Sequence, residues 1–384
     1  MGTSNGASIV GHFSILEDPR IDRNKRHSLI DIMVLTVCAV VSGAETWEDI
    51  EDFGEARIEW LKRFLELENG IPSHDTIRRL FIRLDPEALQ QCFFGWVEAV
   101  REQTEGDVVA IDGKTIRRSA DRAKGKLPIH LVSAWAVENG LVLGQLATEE
   151  HSNEITAIPA LLDTLKVKGC IVTIDAAGCQ TAIAKKITDE KKADYVLAVK
   201  GNQPQLEEQI TEFFGDMNEE DLATAEWVET HKTVDKGHGR IEVREYFHSD
   251  EIAALPRVKE FCGAQSIGMV RAKRIIGENE TVRKRYYISS LAMDAAEFAR
   301  AVRSHWSIEN SLHWTLDMSF REDESRMRSG NSAQNFAMMR RMALSLVKRD
   351  TNSKKSLRRR RKMCLFNERY LERILFNPDG LVHE

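Results

Sequence analysis

Two aspartates are the first residues whose positions ask for chemistry. Val108-Val109-Ala110-Ile111-Asp112 and Ile171-Val172-Thr173-Ile174-Asp175 are short apolar runs of strand type, and each ends on a carboxylate. Carboxylates are normally kept out of such runs, and strand ends in an open α/β sheet point into the crevice where ligands bind. If the two strands are neighbours, the carboxylates converge and repel, so the pair needs a bound cation or a shared proton. Oxygen donors without His or Cys favour Mg2+ or Mn2+. Two such ions about 4 Å apart drive in-line phosphoryl transfer, one activating the attacking oxygen and one stabilising the leaving oxygen, with a third carboxylate usually completing the cage. The plainer alternative for each aspartate is a strand-end residue that caps a turn. Both readings stand at this level.

The elements around the aspartates follow from periodicity. Residues from about 14 to 104 read as helical, with Leu29, Ile32, Met33, Val34, Val37, Cys38 and Val41 at helical spacing. Ser73 is a good N-cap for a helix over Thr76 to Leu84 that carries Arg78, Arg79 and Arg83. Helix, glycine-containing turn and basic helix suit a helix-turn-helix DNA reader and equally a plain helical hairpin. The period then changes. Strands are predicted at 108–112, 129–137, 141–146, 171–175 and 195–199, with helices over 155–165 and 180–191. That order implies a mixed sheet covered by helices. Residues 205–290 read as a β-rich insertion, with Gly237-His238-Gly239-Arg240 at a hairpin-like tip. From Asp294 the chain is helical again, with Phe298, Val302, Ile308, Leu312 and Leu316 on one stripe and Trp306 and Trp314 expected in the core.

Composition bounds the rest. The chain has 384 residues, 42% hydrophobic and 30% charged, enough for two or three domains of a soluble globular protein. A net charge of −6 gives no support to a nucleic-acid partner, but DNA is bound by local patches rather than by the average. Residues 348–362 hold nine Lys or Arg against one acid, Asp350, a run that suits either a phosphate backbone or a solvated end. Arg271, Lys273, Arg274, Arg283, Lys284 and Arg285 form a second basic track. Six scattered cysteines without zinc spacing read as reduced thiols. With neither a secretory leader nor an apolar run long enough for a bilayer, a cytoplasmic protein is the expectation.

Ile111-Asp112-Gly113-Lys114-Thr115-Ile116-Arg117 and Val172-Thr173-Ile174-Asp175-Ala176-Ala177-Gly178-Cys179-Gln180 resemble the first two catalytic segments of the DDE transposases of bacterial insertion sequences. The branch resembled is the one that includes the H-repeat-associated proteins. His305-Trp306-Ser307-Ile308-Glu309-Asn310 is similar to the third segment, in which a helix brings a glutamate to the two aspartates. Tyr195 to Gln203 and Lys236 to Glu242 resemble the same branch. The five segments occur in order, and the similarity runs over nearly the whole chain.

This resemblance implies an α/β fold with an RNase H-like mixed sheet flanked by helices, a β-rich insertion and a helical N-terminal domain. The expected parts are a probable DNA-binding region at 1–105, a catalytic core at 106–204, the insertion at 205–290, a glutamate-bearing helical part at 291–347 and a basic tail at 348–384. It implies that Asp112, Asp175 and Glu309 hold two Mg2+ or Mn2+ ions, and that the chain cuts double-stranded DNA at an element's ends and joins it to target DNA as a homodimer. No membrane and no small-molecule substrate are expected. Lys114, Lys200, Gln203, His238, Arg240, Arg78 and Arg79 are candidates for DNA contact. Related elements carry a Tyr seven before the glutamate, an Arg four before it and a Lys seven after it, where this chain has Val302, His305 and Leu316. Arg303, His305, His313 and Arg321 are the substitutes at hand, and Asp317 and Glu322 are alternative ligands to Glu309. A nuclease that cuts without joining and a decayed DNA-binding protein are the rival readings.

Overall fold

Asp31 interrupts the most apolar helix of the chain, and its placement explains why the helix tolerates it. Its carboxylate accepts the backbone N–H groups of Glu66 and Leu67, 3.4 and 3.3 Å away, inside the core. This is a computed structural model, describing residues 9–22, 25–102, 104–120, 125–148, 154–215, 225–237 and 239–376. The chain divides into two compact units, the first made of Met1–Glu102, Gly113–Glu150 and Glu309–Glu384, the second of Gln103–Asp112 and His151–Ile308.

The first unit is mainly helical. Numbered along the chain, it holds α1 (Ile9–Phe13), α2 (Leu29–Ser42), α3 (Trp47–Ala56), α4 (Ile58–Leu61), α5 (His74–Arg83), α6 (Pro86–Val100), α12 (Trp314–Phe320), α13 (Ser332–Lys348), α14 (Leu357–Phe366) and α15 (Glu368–Phe376). Its core is formed by α2 and α13, both buried almost all round. The Ser28 hydroxyl caps α2 by accepting from the Asp31 N–H at 3.0 Å, and Gly43 ends it at φ 118°, which only glycine adopts without strain. An antiparallel hairpin, β2 (His130–Ala136) with β3 (Leu141–Ala147), lies in the same unit, turning through Glu138-Asn139-Gly140 as the sequence predicts.

The second unit carries most of the sheet. Its strands are β1 (Val108–Thr115, which leaves the unit after Asp112), β4 (Ile171–Ile174), β5 (Asp194–Val199), β6 (Glu229–Gly237), β7 (Arg240–Ser249), β8 (Ser266–Ile276) and β9 (Asn279–Ser289), in the order β1-β4-β5-β9-β8-β7-β6. β1, β4 and β5 run parallel and β9 pairs antiparallel with β5, so the insertion extends the core sheet from its edge. Its helices are α7 (Glu154–Thr164), α8 (Thr181–Lys185), α9 (Pro204–Gly215), α10 (Pro256–Lys259) and α11 (Ala295–Ser307). Phe298 of α11 lies against Gly268 of β8, where a Cβ would meet its ring, and stacks on His248 with centroids 4.8 Å apart. This mixed sheet with flanking helices is the RNase H-like class expected.

Three expectations need correction. The helix predicted over 180–191 is α-helical only to Lys185 and continues as a π-helical turn to Glu190. Trp314 is 59% exposed, not core. The basic stretch at 348–362 is no solvated end. Arg361 is buried, donates to the Val40 carbonyl at 2.8 Å and to that of Ser319, and lies over the Phe320 ring, while Arg360 donates to the carbonyls of Val347, Asp350, Ser353 and Lys355. Lys354, Lys355, Arg358, Arg359 and Lys362 remain exposed. No single helix among the described residues is long and apolar enough to cross a membrane.

Candidate active site

Parallel pairing of β1 with β4 puts the two aspartates side by side. The register runs Val108 with Ile171 through Ile111 with Ile174, so Asp112 and Asp175 are the next step on each strand. Neighbouring strands stand about 4.8 Å apart, so the two aspartates follow directly on the ends of adjacent parallel strand segments. Both are half-buried. Asp175 is extended (φ −68°, ψ 179°), and its Oδ1 accepts the Ala177 N–H at 3.1 Å at the start of a short 3-10 turn. The acid thus caps the turn that follows β4. Burial, and after it the charge of Glu154 at the start of α7, push the Asp175 carboxyl above its ordinary range, against the Ala177 and Gly178 N–H groups and Lys200.

The loop after β5 holds that turn in place. Asn202 Nδ2 donates to the Ala176 carbonyl at 2.6 Å, and Gln203 Nε2 donates to the Cys179 carbonyl at 2.9 Å and reaches Gln180 Oε1 at 3.5 Å. Gln203 thus braces the backbone next to Asp175, and Gln180 takes part in the same brace. Asn202 has the shortest of these contacts, and sequence reasoning did not single it out. Lys200 is exposed and acts electrostatically on Asp175. If Asp175 holds a metal ion for cleavage, as the resemblance implies, Asn202→Ala is expected to weaken metal affinity and cleavage rate by about 10-fold, the lower end of what an outer-shell partner contributes, with unfolding midpoint nearly unchanged. Metal titrations of cleavage would show it.

His305 comes from α11 onto β4, its Nδ1 3.1 Å from Thr173 Oγ1. Thr173 is two residues before Asp175 and so on the same face of the strand. Burial pushes the imidazole down to about 4, which leaves it neutral near pH 7 and without the charge of an arginine for phosphate. The unfolded chain takes up this proton near pH 6.5 and the folded chain only near 4. Folding stability is therefore complete above about 6.5 and falls as the pH drops towards 4, by up to about 3 kcal/mol. Urea unfolding at stepped pH should show this slope in the wild type and a smaller one in His305→Asn.

Glu309 follows Ile308, the last residue of the second unit, and belongs to the first. It lies in a π-helical turn, Ile308–His313, between α11 and α12. A stripe spaced at 3.6 residues from Phe298 would reach position 309, but in the widened turn Ile308 is buried and Glu309 exposed. Among the described residues no group of three or more His, Cys, Asp or Glu side chains is gathered to hold a metal ion. The rival ligands are engaged. Glu322 is fully buried and paired with Arg341 at 2.7 Å, and Asp317 pairs with Lys114 at 2.8 Å.

The remaining candidates separate by burial and pairing. Lys114 is buried and bridges Asp317 and Asp323, so it offsets acids and has no ammonium to offer a phosphate. Val302 and Leu316, at the positions of the missing Tyr and Lys, are core residues. Arg303 is exposed, and His313 is half-buried in the π-helical turn. Arg321 pairs with Glu324 and Glu45, and Arg240 pairs with Glu242 at 2.9 Å. Arg78 and Arg79 lie exposed on α5, bridged to Asp75 at 3.2 and 3.3 Å. The Ser73 cap of that helix is where the sequence predicts it. His238 lies outside the described residues. On the second basic track Arg271 pairs with Glu245, Lys273 with Glu280, and Arg285 lies over the Trp306 ring.

Known proteins are similar to this chain over most of its length. Residues 103–346 match the family described as Transposase DDE domain, and residues 10–97 match the DDE_Tnp_1-associated family. The chain is 44% identical to "Putative transposase YncI" of Escherichia coli O157:H7, covering 96% of this chain and 94% of that protein. It is 41% identical to "H repeat-associated putative transposase YhhI" of Escherichia coli K12, covering 96% and 97%. A piggyBac transposase synaptic complex with hairpin DNA aligns at a TM-score of 0.43 and 11% identity, covering 98% of this chain and 80% of that one.

Proposed function

Because this chain belongs to the DDE transposase family, we propose that it cuts DNA at the ends of an insertion sequence and joins them to target DNA. The observation that carries the reading is the register of β1 on β4, which makes Asp112 and Asp175 neighbours. The donor set is all oxygen, and the environment is short of positive charge, since burial and Glu154 both disfavour a second anion at Asp175. That fits a hard divalent ion. Asp112, Asp175 and Glu309 would hold Mg2+ or Mn2+, two ions per site. Bound there, the ions supply activation of the attacking oxygen and stabilisation of the leaving oxygen.

Each residue then has a task. The aspartate pair would hold the cations that meet the scissile phosphate, and Asn202 and Gln203 keep the Asp175 turn from relaxing. Lys200, which acts on Asp175, would offset charge at the phosphate, with Arg303 an exposed cation on α11. A water oxygen attacks the phosphorus and the 3′ oxygen leaves as a hydroxyl. That hydroxyl then attacks a target phosphodiester in the same geometry. Helix α5, with Arg78 and Arg79, serves as a DNA-reading element of the N-terminal region, and a homodimer would hold the two ends together. Such a protein works on DNA in the cytoplasm.

The test uses the full chain, duplexes carrying the element's own flanking ends, and a supercoiled target with Mg2+ or EDTA. Joined product that depends on Mg2+ is the expected result. Cut but unjoined ends, including from a pre-cleaved substrate, would make the chain a nuclease. Binding without cutting would make it a decayed DNA-binding protein.

A further inference from the structure

An open cavity of about 440 Å3 lies within the first unit, and no residue of β1 or β4 lines it. Five arginines line it, namely Arg78, Arg321, Arg326, Arg328 and Arg340, against three acids, Glu45, Glu48 and Glu324. Two of those acids are already engaged, since Glu324 and Glu45 both bridge Arg321. Arg340 is different from the others. It is only 2% exposed, its guanidinium lies over the Phe336 ring at 4.5 Å, and among the described residues it makes no hydrogen bond or ion pair. Its neighbour Arg341, by contrast, has the buried Glu322 as partner. Burial pushes Arg340 down to about 10. The charges of Glu322 and Glu45 oppose that shift, but neither carboxylate makes a hydrogen bond or ion pair with the guanidinium, and a buried cation without a direct partner costs stability.

Two further features favour an anion here. Ser332, on the wall, opens the 17-residue helix α13, whose N-cap Asn331 makes no side-chain cap and whose first turn carries no acid, so the first residue of a long helix lies at the cavity wall. Arg321 holds a left-handed backbone, φ 49° and ψ 41°, an uncommon conformation for a non-glycine residue and one that collects at ligand clamps.

We propose that this cavity is a phosphate-binding site with Arg340 as its buried cation, and that the phosphate it takes is one of a DNA backbone. The first half stands on the cavity alone, and the second rests on the transposase reading. Arg78 on the rim ties the site to α5, so a strand read by that helix would pass over it.

The experiment is calorimetric titration of the full chain with inorganic phosphate, at constant ionic strength, for the wild type, Arg340→Met and Arg340→Lys. Phosphate affinity should fall about tenfold or more in Arg340→Met and recover partly in Arg340→Lys, which keeps the charge but not the fork. In phosphate-free buffer Arg340→Met should melt no lower than the wild type, because it removes a buried charge that no carboxylate contacts directly. A purely structural arginine would lower it. Random-sequence duplex should displace the phosphate, and its binding should lose about one phosphate's worth of salt dependence in Arg340→Met. Equal phosphate affinity in wild type and Arg340→Met overturns the site. Phosphate that binds but is not displaced by duplex overturns the DNA half and makes it a site for a small phosphate. If Arg340→Met does not fold, the exposed Arg326→Ala decides, expected to weaken phosphate about threefold with an unchanged melt. Failure to cut or join DNA alongside these phosphate results would remove the transposase reading alone.

Discussion

Asp175→Asn is expected to leave the chain folded and to lower DNA cleavage by about 10^3-fold or more, the scale of losing one group that holds charge at a reacting phosphate. Asparagine keeps an oxygen to accept the Ala177 N–H, so the turn after β4 survives. It lacks the charge that binds a divalent ion. Asp175→Ala should be equally inactive and less stable by about 1 kcal/mol, the value of a lost cap. Asp175→Cys should regain activity with Mn2+ rather than Mg2+, because a thiolate suits the softer ion. Cleavage of labelled duplex, with urea unfolding of the same preparations, separates the two effects. If Asp175→Asn cut at the wild-type rate, the residue would be a cap and nothing more.

The second large effect concerns stability. Glu322→Ala strands Arg341, whose Nη1 donates to that carboxylate at 2.7 Å and whose side chain is fully buried. Breaking such a pair from one side costs about 3–5 kcal/mol. The pair is itself incompletely satisfied, with Glu322 Oε2 and Arg341 Nε and Nη2 lacking partners among the described residues. Replacing both, as Glu322→Leu with Arg341→Met, should therefore recover most of the loss. Denaturant melts of the single and double variants measure it directly. The same variants bear on the site, since a double variant that folds and still cuts DNA removes Glu322 from the possible metal ligands.

What the sequence reveals of this molecule follows from which forces are local. Val108 to Ile111 and Ile171 to Ile174 are legible as strands because they are continuous apolar runs, and an acid at the end of each is conspicuous for the same reason. Their being neighbours is a matter of strand order, which periodicity does not encode. The role of Lys114 was hidden because its partners, Asp317 and Asp323, are some two hundred residues away. Trp314 reads as core by its size and apolar ring, yet it stands two residues from both Leu312 and Leu316, on the helix face opposite those buried side chains. Gln203 reads as a DNA contact and Asn202 as an ordinary loop amide, until the two loops meet and both amides donate to backbone carbonyls after β4. Arg360 and Arg361 mislead in the opposite sense, since a basic run reads as solvated while carbonyls of α2, α13 and the loops bind it inside. Glu309 is the residue for which family resemblance contributed most, because an exposed glutamate on an amphipathic stretch carries little signal of its own.

Locating the ions decides the matter most directly. Anomalous diffraction from Mn2+ in crystals of the full chain bound to end duplex should show two peaks, each about 2.2 Å from carboxylate oxygens, shared among Asp112, Asp175 and Glu309. Peaks held by the aspartates with Glu154 as their third acid, or no peak at the aspartates at all, would contradict the assignment.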